Sequence, residues 1–454
     1  MGIQDTIVAL ATPPGVGAIG VIRLSGKDAI RITNKIFRGK DLTNVPSHTI
    51  HFGTIRDQEI ILDEVLISVF VAPHSYTKEN VVEISCHGSH FILSQIIQLV
   101  VRQGARLAEP GEFTKRAFLN GKFDLAQAEA VADLVASDSQ AAHMAAMNQM
   151  RGGFSEEIRK LRDQLIHFAS LIELELDFSE EDVEFASRED LGKLVNDLIR
   201  VISRLIESFN LGNVIKKGVP TVIAGKPNSG KSTLLNALLN EEKAIVSEIA
   251  GTTRDLIEDE IHIEGIAFRF IDTAGIREAR DKIEQIGVER TRKKMKEASL
   301  IIYMFDLKEE TPAEINQEAD KLENLGIPVI KVGNKMDEAP ESMLKELKSL
   351  EDFVLISAKW KENLDELRSR ILEKVNRDGF RTGDTLVTNL RHYESLYNAR
   401  KSLDDVLKGI EEGISGDLLA MDIRQALHYL GEITGEITTE DLLGNIFSKF
   451  CIGK

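Results

Sequence analysis

An eight-residue loop, Gly225-Lys226-Pro227-Asn228-Ser229-Gly230-Lys231-Ser232, constrains the fold of this chain more than any other stretch. An apolar run at 219–224 precedes it, and a helix-forming run at 233–239, opening on Thr233, follows. Strand, loop and helix in that order are the context a phosphate-cradling loop requires. Its glycines let backbone N–H groups turn toward an anion at the positive end of a helix. In that frame Lys231 reaches the β- and γ-phosphates, and the Ser232 hydroxyl is a ligand for Mg2+.

The downstream sequence keeps the alternation that such a loop implies. Strands are expected at 219–224, 258–263, 267–272, 300–306, 329–334 and 354–357, with helices between most of them. That pattern predicts a mainly parallel, doubly wound α/β sheet. Asp272-Thr273-Ala274-Gly275 ends one strand, where Asp272 faces Mg2+ directly or through water and the Gly275 N–H senses the γ-phosphate. Gly251-Thr252-Thr253-Arg254-Asp255 lies between, with Thr253 as the second protein ligand to Mg2+. Asn334-Lys335-Met336-Asp337 follows a later strand, and the Asp337 carboxylate accepts from guanine N1 and N2, which adenine cannot satisfy. Ser357-Ala358-Lys359 backs the base. Contacts to GTP are therefore expected from Gly225 and Asn228 to Thr233, from Ser247, Glu248, Ile249 and Ala250 through Thr253, and from the three later motifs. Each motif alone is an ordinary loop; five in order on alternating strands point to GTP binding and hydrolysis.

Two details shape the expected chemistry. Ile276 follows Asp272-Thr273-Ala274-Gly275 where Ras-type enzymes place a water-orienting glutamine. Glu284, in the segment after that motif, is the candidate for positioning the nucleophile; read by itself it is equally a solvated helix-start glutamate. Asn228, Ser247, Ile249 and Thr252 offer oxygens to a monovalent cation that would neutralise charge as an arginine finger does.

The rest of the chain reads differently. Residues 1–120 alternate short β-rich runs (6–10, 18–24, 65–71, 81–85) with turn signals and hold one expected helix at 90–103, an α+β domain. Ala126, Ala128, Ala130, Ala132 and Ala136 then mark a strong helix former. Ile158, Leu161, Leu165, Phe168, Ile172 and Leu176 repeat at helical spacing, as do Leu191, Leu194, Leu198, Ile202, Leu205 and Phe209. Helical texture returns after about residue 380. The expected organisation is an N-terminal domain at 1–120 and an all-α domain in two halves, 121–215 and 379–454. A Ras-like P-loop domain at 216–378 is inserted between those halves. The net charge is −17, and Asp and Glu crowd residues 173–190, so no general polyanion-binding face is expected. Two cysteines, Cys86 and Cys451, far apart in the chain, fit a reducing cytoplasm rather than a disulfide framework. No apolar run reaches the roughly 20 residues of a membrane span, and no basic-then-apolar leader opens the chain.

Over its whole length the chain resembles the MnmE (TrmE) family of tRNA modification GTPases. The resemblance rests on Asp5-Thr6-Ile7-Val8-Ala9 with Ala11-Thr12-Pro13-Pro14-Gly15, and on Gly111-Glu112-Phe113-Thr114-Lys115-Arg116-Ala117-Phe118-Leu119-Asn120. It rests further on Asn228, on Gly251-Thr252-Thr253-Arg254-Asp255 and on the terminal Phe450-Cys451-Ile452-Gly453-Lys454. It implies a homodimer formed through the N-terminal domain, which binds a tetrahydrofolate one-carbon donor. That donor would be 5,10-methylenetetrahydrofolate, with 5-formyltetrahydrofolate as an analogue. It implies K+-dependent association of G domains that activates hydrolysis. It also implies an FAD-dependent partner, MnmG (GidA), in a heterotetramer or larger complex that adds a carboxymethylaminomethyl- or aminomethyl-type group to C5 of the wobble uridine of tRNA. Position by position, the resemblance puts Arg23, Glu83 and Lys122 at the folate, with Lys454 arriving from the C-terminus. It puts K+ on Asn228, Ser247, Ile249 and Thr252, and catalysis on Glu284. Ser247 stands where the family often has threonine.

Read without the resemblance, Arg23 is a strand-end cation and Glu83 a solvent-facing strand residue. His87 and His90 with Cys86 lack the further ligands of a zinc site, and a cluster at a helix start is the reading they favour. Cys451 is either a small apolar residue or a reactive thiol, and its place on a terminal segment favours the substrate-facing role. A ribosome-assembly GTPase of the Era or Der type shares the core motifs. It would add a KH domain or a second phosphate loop, and the sequence has neither.

Overall fold

The computed structural model describes residues 5–177, 187–243, 259–271, 298–348, 350, 353–375 and 385–453. The chain divides into two units: Met1–Val135 with Met147–Arg200 and Glu394–Lys454, and Ala136–Ala146 with Val201–Tyr393.

In the first unit the N-terminal sequence forms strands β1 (Ile7–Leu10), β2 (Gly17–Ser25), β3 (Phe37–Arg38), β4 (Thr49–Asp57), β5 (Ile60–Phe70), β6 (Val81–Gly88) and β7 (Arg106–Leu107). They order as β3-β4-β5-β6-β2-β1-β7, antiparallel throughout except for the parallel β1–β7 pair. Alternation decides the faces. Ile22 and Leu24, Ile67 and Val69, and Val82 and Ile84 point into one core with Ile32 and Ile36 of helix Ala29–Ile36. Leu93, Ile96, Leu99 and Val100 of helix His90–Arg102 join them. The opposite face holds Ile50, Phe52 and Leu66, all exposed; Ile50 lies in the cross-strand row of Ser68, Glu83 and Arg23, and Phe52 and Leu66 lie in the row of Ser85 and Val21.

β4 and the helices Ala29–Ile36 and Glu112–Leu119 went unforeseen in the sequence. β4 alternates the wrong way for an ordinary surface strand, because its apolar Ile50 and Phe52 face solvent. Helix Glu112–Leu119 buries charge beside its apolar pair Phe113 and Ala117. Arg116, 1% exposed, donates to Glu112 at 2.9 Å, to Asp5 at 2.6 Å and to Glu79 at 3.3 Å. A buried guanidinium needs this many acceptors to offset its desolvation.

The helical part of the first unit buries most of the stripe expected from the sequence, with Phe168 half-buried. Ile158, Leu161, Leu165 and Ile172 of helix Gly153–Asp177 lie inside, as do Leu419, Ile423, Ala426 and Leu430 of helix Gly416–Thr434, and the two helices pack together. Arg162 with Glu436, and Arg424 with Glu173, flank that seam. In helix Arg188–Lys217, Val195 is buried while Leu194 is half-buried, a one-position drift of the expected stripe.

The second unit carries strands β8 (Val219–Ala224), β9 (Asp259–Ile263), β10 (Ile266–Phe270), β11 (Leu300–Asp306), β12 (Val329–Asn334) and β13 (Phe353–Leu355). Their order is β13-β12-β11-β8-β10-β9, parallel except for the β9–β10 hairpin. β11 is buried along its whole length. Leu300, Ile302 and Met304 enter one core and Ile301, Tyr303 and Phe305 the other. Helices on both faces require this two-sided apolar strand, and it is the doubly wound α/β architecture expected from the sequence.

Candidate functional site

The phosphate loop leaves the C-terminal end of β8 and runs into helix Lys231–Lys243, at the strand ends where open α/β sheets bind ligands. Gly225 (φ +151°) and Gly230 (φ +100°) adopt backbone conformations that side chains resist. A Cβ on Gly225 would sit 2.0 Å from Met304 O, and one on Gly230 would sit 2.1 Å from Asn334 Nδ2. The loop is thus pressed against β11 and β12, with its concave side left to backbone N–H groups. Asn228 takes a left-handed conformation at its tip (φ +64°).

Lys231 Nζ donates to Gly225 O at 2.8 Å and to Lys226 O at 2.7 Å. Burial lowers its pKa while Glu310 pulls the other way. An ammonium held over the loop by neutral carbonyls, partly desolvated, fits an anion well. Ser229 Oγ is buried with no hydrogen-bond partner among the described residues, so its hydroxyl fits a polar ligand at the loop. Ser232 lies in the first turn of the following helix, the position of a Mg2+-binding hydroxyl. Among the described residues no cluster of three His, Cys, Asp or Glu side chains marks another metal site.

The base-reading end is joined to this loop by one side chain. Asn334, buried at the end of β12, donates from Nδ2 to Ser229 O at 2.8 Å and accepts from Ala358 N at 3.0 Å. Lys335 (φ +65°) turns the chain and pairs with the buried Asp306 carboxylate. Asp337 then accepts from Ser357 Oγ at 2.7 Å and from Trp360 Nε1 at 3.0 Å. The Ser357 hydroxyl, with help from Trp360 and Lys359, holds its carboxyl below the usual carboxylate range. Ser357 and Ala358 are buried, and mutual backbone bonds between Ser357 and Glu362, at 3.2 and 3.1 Å, fix their turn.

The structure therefore gathers Gly225, Asn228, Ser229, Gly230, Lys231, Ser232 and Thr233 with Asn334, Lys335, Asp337, Ser357, Ala358 and Lys359 at one edge of the second unit's sheet. Ser247, Glu248, Ile249, Ala250, Gly251, Thr252, Thr253, Asp272, Thr273, Ala274, Gly275, Glu284 and Lys454 lie outside the described residues. Sequence reading missed Asp306, which anchors Lys335. It also missed the Lys226–Glu310 pair at 3.1 Å and Trp360. The last had a signal: it is the chain's single tryptophan, directly after Ser357-Ala358-Lys359.

In the first unit, Arg23 and Glu83 are direct cross-strand partners, with Nε to Oε1 at 2.8 Å. The same guanidinium donates to Gly453 O at 3.3 Å and stacks over Tyr76 and Phe113 at 5.6 and 5.8 Å. The C-terminal segment is seated by Phe450, buried among Leu125, Ala128, Leu443 and Phe447, and by Gly111 N donating to Cys451 O at 3.4 Å. Cys451 is exposed. A cation and a carboxylate side by side, near aromatic rings and a chain terminus, suit a ligand with both a heterocyclic edge and a carboxylate tail. Lys122 is exposed in the turn before helix Leu125–Ala136, and its N–H donates to Ala117 O at 2.8 Å. Among the described residues it has no bond to Arg23 or Glu83. His87 ends β6 and bonds the buried Asp63 through Nδ1 at 2.7 Å, while His90 opens the next helix. Cys86 faces the core, where burial and Asp63 push its thiol up to about 11.

A family model described as the MnmE helical domain matches residues 125–451, and one described as the GTP-binding protein TrmE N-terminus matches residues 6–122. The chain is 63% identical to the tRNA modification GTPase MnmE of Cytophaga hutchinsonii, over 99% of this chain and 98% of the relative. It is 54% identical to the protein of the same name from Flavobacterium psychrophilum, over 99% of each. Among solved structures, the G domain of the T. maritima FeoB iron transporter is 24% identical with a TM-score of 0.27, covering 35% of this chain and 99% of that one.

Proposed function

Because the chain belongs to the MnmE family of tRNA modification GTPases, we propose that it hydrolyses GTP as one component of a complex that modifies the wobble uridine of tRNA. The observation that carries the nucleotide half of this reading is the Asn334 side chain, which ties Ser229 of the phosphate loop to Ala358 of the base loop. A single buried amide holding both ends fixes the distance between the phosphate and base subsites, which is what a mononucleotide needs.

In the proposed mechanism Lys231 leaves its loop carbonyls for the β- and γ-phosphate oxygens. There it neutralises charge as the phosphoryl group departs. Backbone N–H groups of 228–233 take the remaining oxygens, and Asp337 reads the guanine edge. Ser232, Thr253 and Asp272 would hold Mg2+, which supplies charge neutralisation across the phosphates. Asn228, Ser247, Ile249 and Thr252 would hold K+, which supplies the positive charge an arginine finger brings elsewhere. Glu284 orients the attacking water. The fit of these groups is supported by the unpartnered Ser229 hydroxyl and by Gly230, whose lack of a side chain lets the loop pack against Asn334.

The N-terminal domain, 1–120, is proposed as the folate-binding and dimerisation domain. The Arg23–Glu83 pair beside Gly453 supports the first role. The open sheet face with Ile50, Phe52 and Leu66 supports the second, since an exposed apolar face of this kind is usually covered by a partner. Arg23, Glu83, Lys122 and Lys454 would hold a tetrahydrofolate one-carbon donor, with Cys451 close to the transferred carbon. The helical halves, 121–215 and 379–454, carry the inserted GTPase domain, 216–378. The FAD-dependent MnmG protein and tRNA are the proposed partners and the cytoplasm the proposed location. Among the described residues no helix is long and apolar enough to cross a membrane.

The test is phosphate release by the purified chain with GTP or ATP as substrate. GTP-selective turnover lost in Lys231→Ala supports the reading. Equal turnover of both nucleotides would contradict the assignment of the base subsite.

A further inference from the structure

The chain's single tryptophan lies on the residue proposed above to recognise guanine. Trp360 Nε1 donates to Asp337 Oδ2 at 3.0 Å, while Ser357 Oγ holds Oδ1 at 2.7 Å. The indole is 61% exposed, so burial does not dictate where it points. Its anchors are polar or electrostatic: Asp337 and the Lys359 ammonium 5.1 Å from its ring centroid, while the Trp360 backbone N–H donates to Ser357 Oγ at 3.4 Å.

A flat bicyclic ring offering an N–H edge to a carboxylate is the chemistry that guanine brings through N1–H and N2–H. We propose that Trp360 is an intrinsic competitor for the base. Its indole N–H satisfies Asp337 Oδ2, and it has to release that oxygen before guanine is read. The proposal rests on the reading of Asp337 as the guanine acceptor.

The release needs only a side-chain rotation. The ring is exposed, and the turn that carries it is closed independently by the paired backbone bonds between Ser357 and Glu362. Ala358 N stays on Asn334 Oδ1, so the wall behind the base is undisturbed when the indole leaves. Ser357 Oγ stays on the other carboxylate oxygen, so Asp337 keeps its orientation during the exchange. The indole stabilises only the nucleotide-free state. It therefore reduces apparent affinity by lowering the fraction of chains ready to bind.

The test uses the full chain and Trp360→Phe, which keeps an aromatic ring at an exposed position and removes only the donor. GDP and ADP affinities are measured by calorimetry, association by stopped flow, and tryptophan emission of the wild type during GDP titration. The expected results are GDP binding about three- to tenfold tighter in Trp360→Phe, the size of one ordinary net hydrogen bond. The gain appears in the association rate, and wild-type tryptophan emission changes on saturation with GDP. Unchanged or weaker GDP binding by Trp360→Phe, with GDP still preferred over ADP, would overturn the competitor role alone. Emission unmoved by saturating GDP would do the same. Wild-type protein that binds ADP as well as GDP would instead overturn the reading of Asp337 beneath it.

Discussion

Asn334 Nδ2 lies 2.8 Å from Ser229 O, so one buried amide joins the strand end proposed to read the base to the loop proposed to hold the phosphates. Asn334→Ala leaves Ser229 O and Ala358 N without their partner inside the protein. An unsatisfied buried polar group costs about 1–3 kcal/mol. The expected outcome is GDP affinity reduced by roughly ten- to a hundredfold, with a lower melting temperature even without nucleotide. Calorimetry and a thermal melt of the same preparation check both.

Asp337→Asn should exchange guanine for xanthine preference, because the amide donates where the carboxylate accepted. Losing a charge-assisted contact weakens GTP binding by about 1.5–3 kcal/mol, and xanthosine triphosphate should regain it. Ser357 holds the Asp337 carboxyl below its ordinary range, so the acceptor stays ionised as pH falls. GDP binding should persist through the usual carboxylate range and fail only below it; a binding titration against pH reads this.

The nucleotide motifs were legible because a phosphate loop depends on glycines and charges that are neighbours in sequence. So were the strands β8, β11 and β12, whose apolar runs are bounded by turn residues. The N-terminal sheet was only half legible. β3 and β7 are two residues long, too short to show alternation. β4 points its large apolar residues, Ile50 and Phe52, toward solvent. Arg116 reads as a solvated cation until Asp5, Glu79 and Glu112, far apart in sequence, converge on it. The contact between Trp360 and Asp337 likewise depends on a turn between β13 and the next helix that no local spacing announces.

That buried cluster sets an acid limit on the fold. Burial raises the Glu112 and Asp5 pKa values, but hydrogen bonds and charge from Arg106 and Arg116 outweigh it and leave both carboxyls lowered. Groups with depressed folded-state pKa values stabilise the fold above their unfolded values. That contribution is lost as pH falls through the folded ones. Stability should therefore drop below the ordinary carboxylate range. Arg116→Met removes one of the two guanidiniums on Glu112, which keeps Arg106, and takes the Arg116 bonds from Glu79 and Asp5; it should cost about 1–3 kcal/mol at neutral pH. Urea melts at neutral and acid pH, for both forms, measure it.

Hydrolysis should be fast in potassium and slow in sodium, since the smaller ion fits a cage of fixed oxygens poorly. Asn228, whose left-handed conformation puts it at the loop tip, is the one proposed cation ligand among the described residues. Asn228→Ala should lose the potassium response and keep most of its nucleotide affinity. Equal wild-type rates in the two salts would point to an arginine supplied in trans.

The proposed function has one chain couple GTP hydrolysis to tRNA modification. Under that proposal the C-terminal tail, whose Gly453 O accepts from Arg23, serves the second activity. The most direct measurement is mass spectrometry of tRNA wobble nucleosides. It compares a deletion strain carrying the wild-type chain, Lys231→Ala, or a chain lacking its last four residues, with GTPase rates taken on each purified protein. Modified uridine is expected only with the wild type, with hydrolysis lost in Lys231→Ala and retained by the truncated chain. Fully modified wobble uridine in the strain carrying Lys231→Ala would contradict it.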